Sequence, residues 1–287
     1  MAELFGQADN VNLAVEKLIQ KCGDDKRVLT VGYQPAVTLL QRGCTVTVIE
    51  ADREAVRAEE GYHTIIGVPG EFDLTAELGG EKFDVIILPD VIGRLKSPHG
   101  FLNEVRRLLA PGGCVLLSVP NIAHARMRLM LLSGKFDYSQ LWVTCQAQSK
   151  LYARKSVCDL LETCGYLIDS VDWTEIPIDS GELVGALESL GISNLEAVLA
   201  SFASPESTAF EYIVKATPAS EPDKVGKLSE DKVRAERAVK ELEAELSVLK
   251  EFKAFIEPAF KNLESEIAKK NDYIVQLENA MNDRDRG

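Results

Sequence analysis

Polar and titratable residues follow several of the β-rich runs in this sequence. Glu50 ends the run TVTVI, Asp90 follows FDVIILP, and Asn121 and His124 follow LLSVP. Histidine and carboxylic acids are the side chains that most often transfer protons in enzyme sites. His124, with Asn121 available to orient its ring, is therefore the candidate general base. The alternative is a histidine at a helix start that bonds to nearby backbone.

Short β-rich runs alternate with helical patterns over the first 217 residues. Strands are predicted at residues 27–31, 45–49, 64–66, 83–88, 114–119, 167–173 and 210–215. Helices are predicted at residues 10–22, around 39–40, and at 52–60, 99–109, 123–132 and 155–164. This alternation predicts parallel βαβ units in a doubly wound α/β sheet. Ligands of such sheets bind outside the carboxyl ends of the strands, where the polar residues named above lie.

Composition excludes some classes of partner. A net charge of -13 argues against a nucleic-acid partner, because a phosphate backbone requires a cationic face. The six cysteines have neither CxxC nor zinc-like spacing, so no metal site is predicted. No apolar run approaches the length of a membrane span, and the first residues do not resemble a signal peptide. The sequence favours a soluble protein in a reducing cytoplasm.

The sequence pattern changes after residue 217. Residues 218–230 have the composition of a linker, and residues 231–287 carry a heptad-like repeat. Its apolar columns alternate by four and three residues, as in the seam of a left-handed coiled coil. One column is 235, 242, 249, 256, 263, 270 and 277, and the other is 239, 246, 253, 260, 267, 274 and 281. Lysines at positions 253 and 270 interrupt this apolar seam. Such a stripe must either pack back on the first domain or pair with another chain. The pattern favours pairing of residues 231–287 with a second copy or a partner helix, with a helix break near Pro258.

The order of elements and several phrases resemble the class I S-adenosylmethionine-dependent methyltransferases. The similarity is strongest to the branch found in bacterial cell-surface polysaccharide (O-antigen) pathways. It spans about residues 10–217 and rests on FDVIILPDVIGRL and on FLNEVRRLLAPGGCVLLSVPNIAHARMRLMLLSGKFDY. The resemblance implies a doubly wound Rossmann-like sheet, here followed by an α-helical coiled-coil tail. We therefore divide the chain into a methyltransferase-like domain, residues 1–217, a linker, 218–230, and a helical tail, 231–287.

The resemblance also implies a cofactor site for S-adenosylmethionine. Four residues match positions that contact the cofactor in the family: Gly32 and Tyr33 after the first strand, Glu50 after the second, and Asp90 after the fourth. Glu50 matches the acidic residue that accepts the ribose hydroxyls. His124 and Asn121 would then act on a sugar hydroxyl.

Other positions depart from the family pattern. In the loop that resembles D-x-G-C-G-x-G, Thr30 replaces the acid, and Gln34 and Ala36 replace two glycines. Side chains at positions 34 and 36 would crowd the cofactor, and a left-handed backbone there would be strained. Pro35 is a further departure in that loop, and Val68 stands in place of an acid. Gly93 and Arg94 replace Glu and His, and Cys145, Ala147 and Gln148 replace Asp, Thr and His.

Two functions remain open. One is a methyltransferase-like protein of a cell-surface glycan pathway with an impaired cofactor site, acting in assembly or scaffolding through its coiled coil. The other is an active S-adenosylmethionine-dependent methyltransferase acting on a sugar hydroxyl. An NAD-dependent oxidoreductase shares the fold class, but residues 32–37 (GYQPAV) lack the required G-x-G-x-x-G turn.

Overall fold

The computed structural model describes residues 7–32, 35–52, 61–134, 148–192 and 194–220, with separate residues between 239 and 271. The chain divides into two compact units, Met1–Ala219 and Ser220–Gly287. The strands of the first unit are β1 (Arg27–Val31), β2 (Thr45–Glu50), β3 (Tyr62–Ile66), β4 (Phe83–Pro89), β5 (Leu109–Pro120), β6 (Tyr166–Glu175) and β7 (Ala209–Pro218).

The helices of this unit alternate with the strands in the first part of the chain. They are α1 (Gln7–Cys22), α2 (Ala36–Gln41), α3 (Leu74–Glu77), α4 (Pro98–Leu108), α5 (Ala125–Leu132), α6 (Arg154–Thr163), α7 (Ser180–Ser189), α8 (Leu195–Phe202) and α9 (Pro205–Thr208). A 3₁₀ turn, Ile92–Arg94, follows β4.

The seven strands form one sheet in the order β3-β2-β1-β4-β5-β7-β6. β1 to β5 are parallel to their neighbours, whereas β7 is antiparallel to both β5 and β6. The predicted parallel βαβ units are therefore confirmed for β1 to β5, and the direction of β7 was not predicted. The antiparallel direction brings the start of β7 to the carboxyl end of β5, where Glu211 pairs with Pro120.

Both faces of the sheet are covered, which explains the continuous apolar runs of its central strands. On one face, residues of α4 and α6 pack against Leu29, Ile86 and Leu117. On the other, residues of α1 and α2 pack against Val28, Ile87 and Leu116. The doubly wound α/β prediction is confirmed in this respect.

The chain between β6 and β7 differs from the prediction. The sequence patterns did not identify α7, α8 and α9, whose buried residues are few and widely spaced. β5 also begins earlier than predicted, because residues 109–113 already belong to the strand and the register shifts between Phe83 and Val85. The helix expected at 52–60 lies largely outside the described residues.

The described residues of the second unit are helical between positions 239 and 271. Residues 256–258 are helical up to and including Pro258, where a break was expected, and residues 259–260 lie outside the described part. Among the described residues, no helix is both long enough and apolar enough to cross a membrane.

Candidate functional site

The carboxyl end of β4 carries a buried acidic residue that is already paired. Asp90 is 8% exposed and has a left-handed backbone, with φ of 52°. Its carboxylate accepts hydrogen bonds from the Arg94 guanidinium and from the Gln148 amide. Both oxygens of Asp90 therefore bond to side chains of this chain.

Gly93 makes room for Gln148. A Cβ added at Gly93 would lie 1.3 Å from Gln148 Oε1 and 2.8 Å from the carbonyl oxygen of Lys150. The Gly93 carbonyl accepts hydrogen bonds from the Ser149 and Lys150 amides, at 2.8 and 3.0 Å. Three departures from the family pattern, Gly93, Arg94 and Gln148, thus meet around one carboxylate.

Two further polar residues extend this arrangement into the sheet. The Asp90 amide donates to Ser118 Oγ at 3.1 Å and to the Ser118 carbonyl oxygen at 3.2 Å. Glu211, which is 2% exposed, pairs across the sheet with Pro120, two residues after Ser118 and on the same sheet face. We call Asp90, Arg94, Ser118, Gln148 and Glu211 the edge cluster.

The two acids of the edge cluster are strongly desolvated. Burial raises the pKa of Asp90 to about 6, although the charge and hydrogen bond of Arg94 and the hydrogen bond of Gln148 oppose this shift. Burial raises the pKa of Glu211 to about 8, opposed by the Ser118 hydrogen bond and reinforced by the negative charge of Asp90. Near neutral pH, Glu211 therefore carries a proton while Asp90 is mostly ionised.

His124 caps the start of α5 and is fully buried. Its Nδ1 accepts from the Arg126 amide at 3.3 Å, and its Nε2 lies 2.8 Å from the carbonyl oxygen of Ile176. Burial lowers the pKa of His124 to about 4. Both ring nitrogens face main-chain partners, an arrangement that leaves neither nitrogen for an acceptor hydroxyl. This is the geometry of a histidine that caps a helix start and bonds to nearby backbone.

Asn121 does not orient the His124 ring. Its Nδ2 donates to the carbonyl oxygens of Glu206 and Ala209, both at 2.8 Å, and its Oδ1 accepts from the Ala123 amide at 2.9 Å. These bonds attach the end of β5 to the chain entering β7. Asn121 therefore stabilises the local fold.

The turn after β1 retains one feature of a cofactor loop. Gly32 has φ of 81° and donates its amide to Ile49 O at 2.8 Å, and a Cβ added there would meet nothing within 4 Å. Tyr33 and Gln34 lie outside the described residues. Ala36 is the first residue of α2, so its backbone is right-handed and the strain of a left-handed conformation does not arise there.

The other groups expected near the cofactor differ in chemistry. Thr30 is fully buried at the position of the family's acid, and its hydroxyl has no hydrogen-bond partner in the described structure. Glu50 ends β2 as predicted, but its Oε1 accepts from the amides of Ala51 and Asp52, at 2.9 and 3.3 Å. Val68, where the resemblance implies an acid, is 46% exposed.

These residues do not fit S-adenosylmethionine as a whole. Gly32 leaves space and Glu50 has the right place in the sheet to face the ribose. However, Thr30 brings no charge toward the methionine portion, Asp90 is neutralised by Arg94, and Val68 offers no acceptor to the adenine amine. The described residues therefore suit the ribose of S-adenosylmethionine better than its methionine portion or its adenine.

Ser118 and Glu211 were not identified from the sequence. Ser118 lies within a continuous apolar run, and Glu211 is a single acid within a β-rich run. Their only sequence signal is a polar residue in a strand that is otherwise buried, which is informative because buried carboxylic acids are rare.

Comparisons with known proteins agree with the architecture. No curated protein sequence matches the chain. A methyltransferase from Thermotoga maritima, described as S-adenosylmethionine-dependent, is 14% identical, with a TM-score of 0.50 over 75% of this chain and 93% of that chain. This likeness shows the fold.

Two further solved structures have lower TM-scores. A TehB-like S-adenosylmethionine-dependent methyltransferase from Corynebacterium glutamicum is 12% identical, covering 71% of this chain and 87% of that chain, with a TM-score of 0.44. The 1,6-didemethyltoxoflavin-N1-methyltransferase of Burkholderia thailandensis, solved with bound S-adenosylhomocysteine, is 14% identical, covering 73% of this chain and 78% of that chain, with a TM-score of 0.46.

A sequence-family model described as "Methyltransferase domain" matches residues 7–171, which is more than half of the 287-residue chain. The match runs from α1 into β6 and includes every parallel strand from β1 to β5. The chain therefore belongs to the methyltransferase-domain family.

Proposed function

We propose that this chain is a methyltransferase-like protein with a lost cofactor site, retained as an assembly or scaffolding component through residues 231–287. S-adenosylmethionine is the candidate cofactor of the fold. The observation that carries the proposal is the Asp90 carboxylate, which is buried and bonded to Arg94 and Gln148. A cofactor or acceptor would have to displace these side chains before it could use Asp90.

The size of the loss follows from the missing interactions. Each hydrogen bond to a polar or charged group that is not made costs about 1–3 kcal/mol. About three such hydrogen bonds are missing here. Two belong to the acids that Thr30 and Val68 replace, and the third belongs to Asp90, whose carboxylate is already paired. Together they would weaken a micromolar site by several powers of ten.

The exposed apolar positions of the tail support the assembly role. Val239, Leu242 and Leu246 are helical, belong to the heptad columns and are 52%, 64% and 51% exposed. Ile256 and Ile267 continue the columns and are 38% and 53% exposed. A narrow apolar stripe of this kind is stabilised when a facing helix covers it. We infer that a second copy or a partner helix does so in a coiled coil.

The cell-surface glycan pathway is inferred from the family resemblance alone, and not from any residue that contacts a sugar. Chains of the resembling branch occur in bacterial cell-surface polysaccharide pathways, and we place this protein in such a pathway. In that setting, the methyltransferase-like domain would be carried by an assembly that the tail organises.

A second candidate function is an active S-adenosylmethionine-dependent methyltransferase acting on a sugar hydroxyl. The open turn at Gly32 and the position of Glu50 at the end of β2 favour it. The paired state of Asp90 and the buried state of His124 do not.

Isothermal titration of the full chain with S-adenosylmethionine separates the two functions. We expect no binding at tens of micromolar cofactor, and measurable binding there would support the enzyme instead. The triple variant Thr30→Asp, Gln34→Gly, Ala36→Gly is expected to regain some affinity. The double variant without Thr30→Asp is its control, because it restores space without restoring the charge. If neither variant gains affinity for S-adenosylmethionine, other residues must close the pocket.

A further inference from the structure

A cavity lies at the amino ends of β4 and β5, on the edge of the sheet opposite the edge cluster. It has a volume of about 390 Å³, within the range of small-molecule sites. Its lining consists of Lys82, Arg106, residues 109–113 of β5, and Thr217 and Pro218 at the end of β7. Both charged residues of this described lining are cations, and no acid belongs to it. We call this space the amino-edge cavity.

Arg106 of α4 is half-buried but unpaired. Within the described residues, its guanidinium makes no hydrogen bond and no ion pair. The three other half-buried arginines of that part of the chain, Arg42, Arg126 and Arg128, all bond to a carboxylate or to a carbonyl oxygen. A guanidinium has five N–H donors, and its withdrawal from water without acceptors is costly. Arg106 therefore has donors available for a ligand that enters the cavity.

The end of α6 explains why a cation lies here but does not occupy its donors. A Cβ added at Gly165, two residues after α6, would stand 2.6 Å from Arg106 Nη1. The guanidinium therefore lies against this turn, where the last carbonyl groups of the helix carry partial negative charge. None of these described carbonyl groups accepts a hydrogen bond from Arg106.

Lys82 supplies a second cation, and the turn at the start of β5 supplies open main chain. The Lys82 ammonium donates to the carbonyl oxygen of Arg107, which uses one of its three donors, and no described carboxylate pairs with it. Gly112 is exposed with φ of 77°, and a Cβ there would meet nothing within 4 Å. Asp169 accepts from the Thr217 hydroxyl at 3.1 Å, but it is exposed and does not line the cavity. The cavity therefore favours an anion.

We propose that the amino-edge cavity binds a small organic phosphate through Arg106 and Lys82. A guanidinium can donate two parallel hydrogen bonds to a phosphate, and an ammonium adds a point charge. The apolar part of the lining, Leu109, Ala110 and Pro218, would contact the organic portion of the ligand. The inference goes beyond the proposed function, because this site requires neither S-adenosylmethionine nor the helical tail.

Isothermal titration of the full chain with glycerol phosphate tests the proposal, in a phosphate-free buffer of low ionic strength. We expect a dissociation constant below about 1 mM, and inorganic phosphate should compete. Arg106→Met should weaken binding at least about tenfold because it removes the bidentate donor, and Arg106→Lys should fall between that variant and the wild type. Arg107→Met, on the exposed neighbouring arginine, is the matched control and should bind as the wild type does.

No binding of glycerol phosphate, or equal weakening in Arg106→Met and Arg107→Met, would overturn the proposal. Binding only to vesicles of phosphatidylcholine with phosphatidic acid would also overturn it, because the site is proposed for a soluble phosphate. Should Arg106→Met not fold, Lys82→Met at an exposed position should weaken binding about threefold, and an unchanged affinity would count against the site. These titrations contain no S-adenosylmethionine, so either proposal can fail alone.

Discussion

The guanidinium of Arg94 bonds the carboxylate of Asp90 across the turn that follows β4. The Asp90 side chain is 10% exposed and the Arg94 side chain 49%. In the family pattern that this turn resembles, a histidine stands at the position of Arg94. The ion pair thus closes the carboxyl end of β4 with a residue that departs from the pattern.

Removing Arg94 should destabilise the fold. Arg94→Met leaves a buried carboxylate without its cation, and we expect a loss of about 2 kcal/mol in the free energy of unfolding, below the usual range for buried pairs because Arg94 is half exposed. Urea denaturation at pH 7 measures this loss. Lys155→Met is the matched control, because Lys155 and Asp159 form a pair with the same spacing on an exposed helix face. Because Lys155 is solvent-exposed, its removal should leave the free energy of unfolding nearly unchanged. Equal costs for the two variants would mean that the burial of Asp90 adds nothing to its ion pair.

Gly93 and Gln148 should behave as a coupled pair. Gly93→Ala places a methyl group on Gln148 Oε1, and overpacking of this kind costs about 1–3 kcal/mol. Combining it with Gln148→Ala should cost at least about 1 kcal/mol less than the sum of the single changes, as measured by a double-mutant cycle. Gly185→Ala, in an open position of α7, is the control and should be neutral or stabilising. Strict additivity would show that the two residues do not share this space.

His124 should make the protein sensitive to acid. Its pKa is lowered to about 4 in the fold, so its contribution to stability is present above the ordinary pKa of 6.5 and is lost as the pH falls toward 4. We expect about 1.4 kcal/mol of lost stability per pH unit in this window. His124→Asn, which keeps a capping side chain, should reduce that slope in urea titrations. His99→Asn, on an exposed histidine, is the control, and an unchanged slope in His124→Asn would contradict the interpretation.

Charges in the heptad columns should disrupt the predicted coiled coil. We expect Leu242→Glu with Leu246→Glu to reduce the oligomeric mass of the full chain in light scattering, because both side chains occupy the apolar stripe. Glu243→Gln with Ser247→Glu changes neighbouring exposed positions and should leave the mass unchanged. Two results would show that the tail is not the assembly element. One is a wild-type chain that is monomeric and binds no partner helix, and the other is a double variant with the same mass as the wild type.

The sheet was largely predictable from sequence because its central strands are buried on both faces. β1 was predicted at its observed bounds, and β2 and β4 within one residue. Apolar runs of this kind, closed by glycine or an acid, have few alternatives. The direction of β7 was not predictable from its own residues, since an isolated β-rich run does not specify its neighbours.

The edge cluster was less predictable because it depends on contacts between distant positions. Gln148 lies 58 residues from Asp90 and reaches it only because Gly93 leaves space. Each departure from the family pattern was visible in the sequence, but their meeting around one carboxylate was not. Ser118 and Glu211 were hidden for the same reason, since their partners come from other strands.

A crystal structure of the full chain grown with millimolar S-adenosylhomocysteine tests the central claim most directly. We predict no ligand at the turn of residues 32–36 and an Asp90 carboxylate still bonded to Arg94 and Gln148. Electron density for the nucleoside against that turn, with Glu50 binding its ribose, would contradict it.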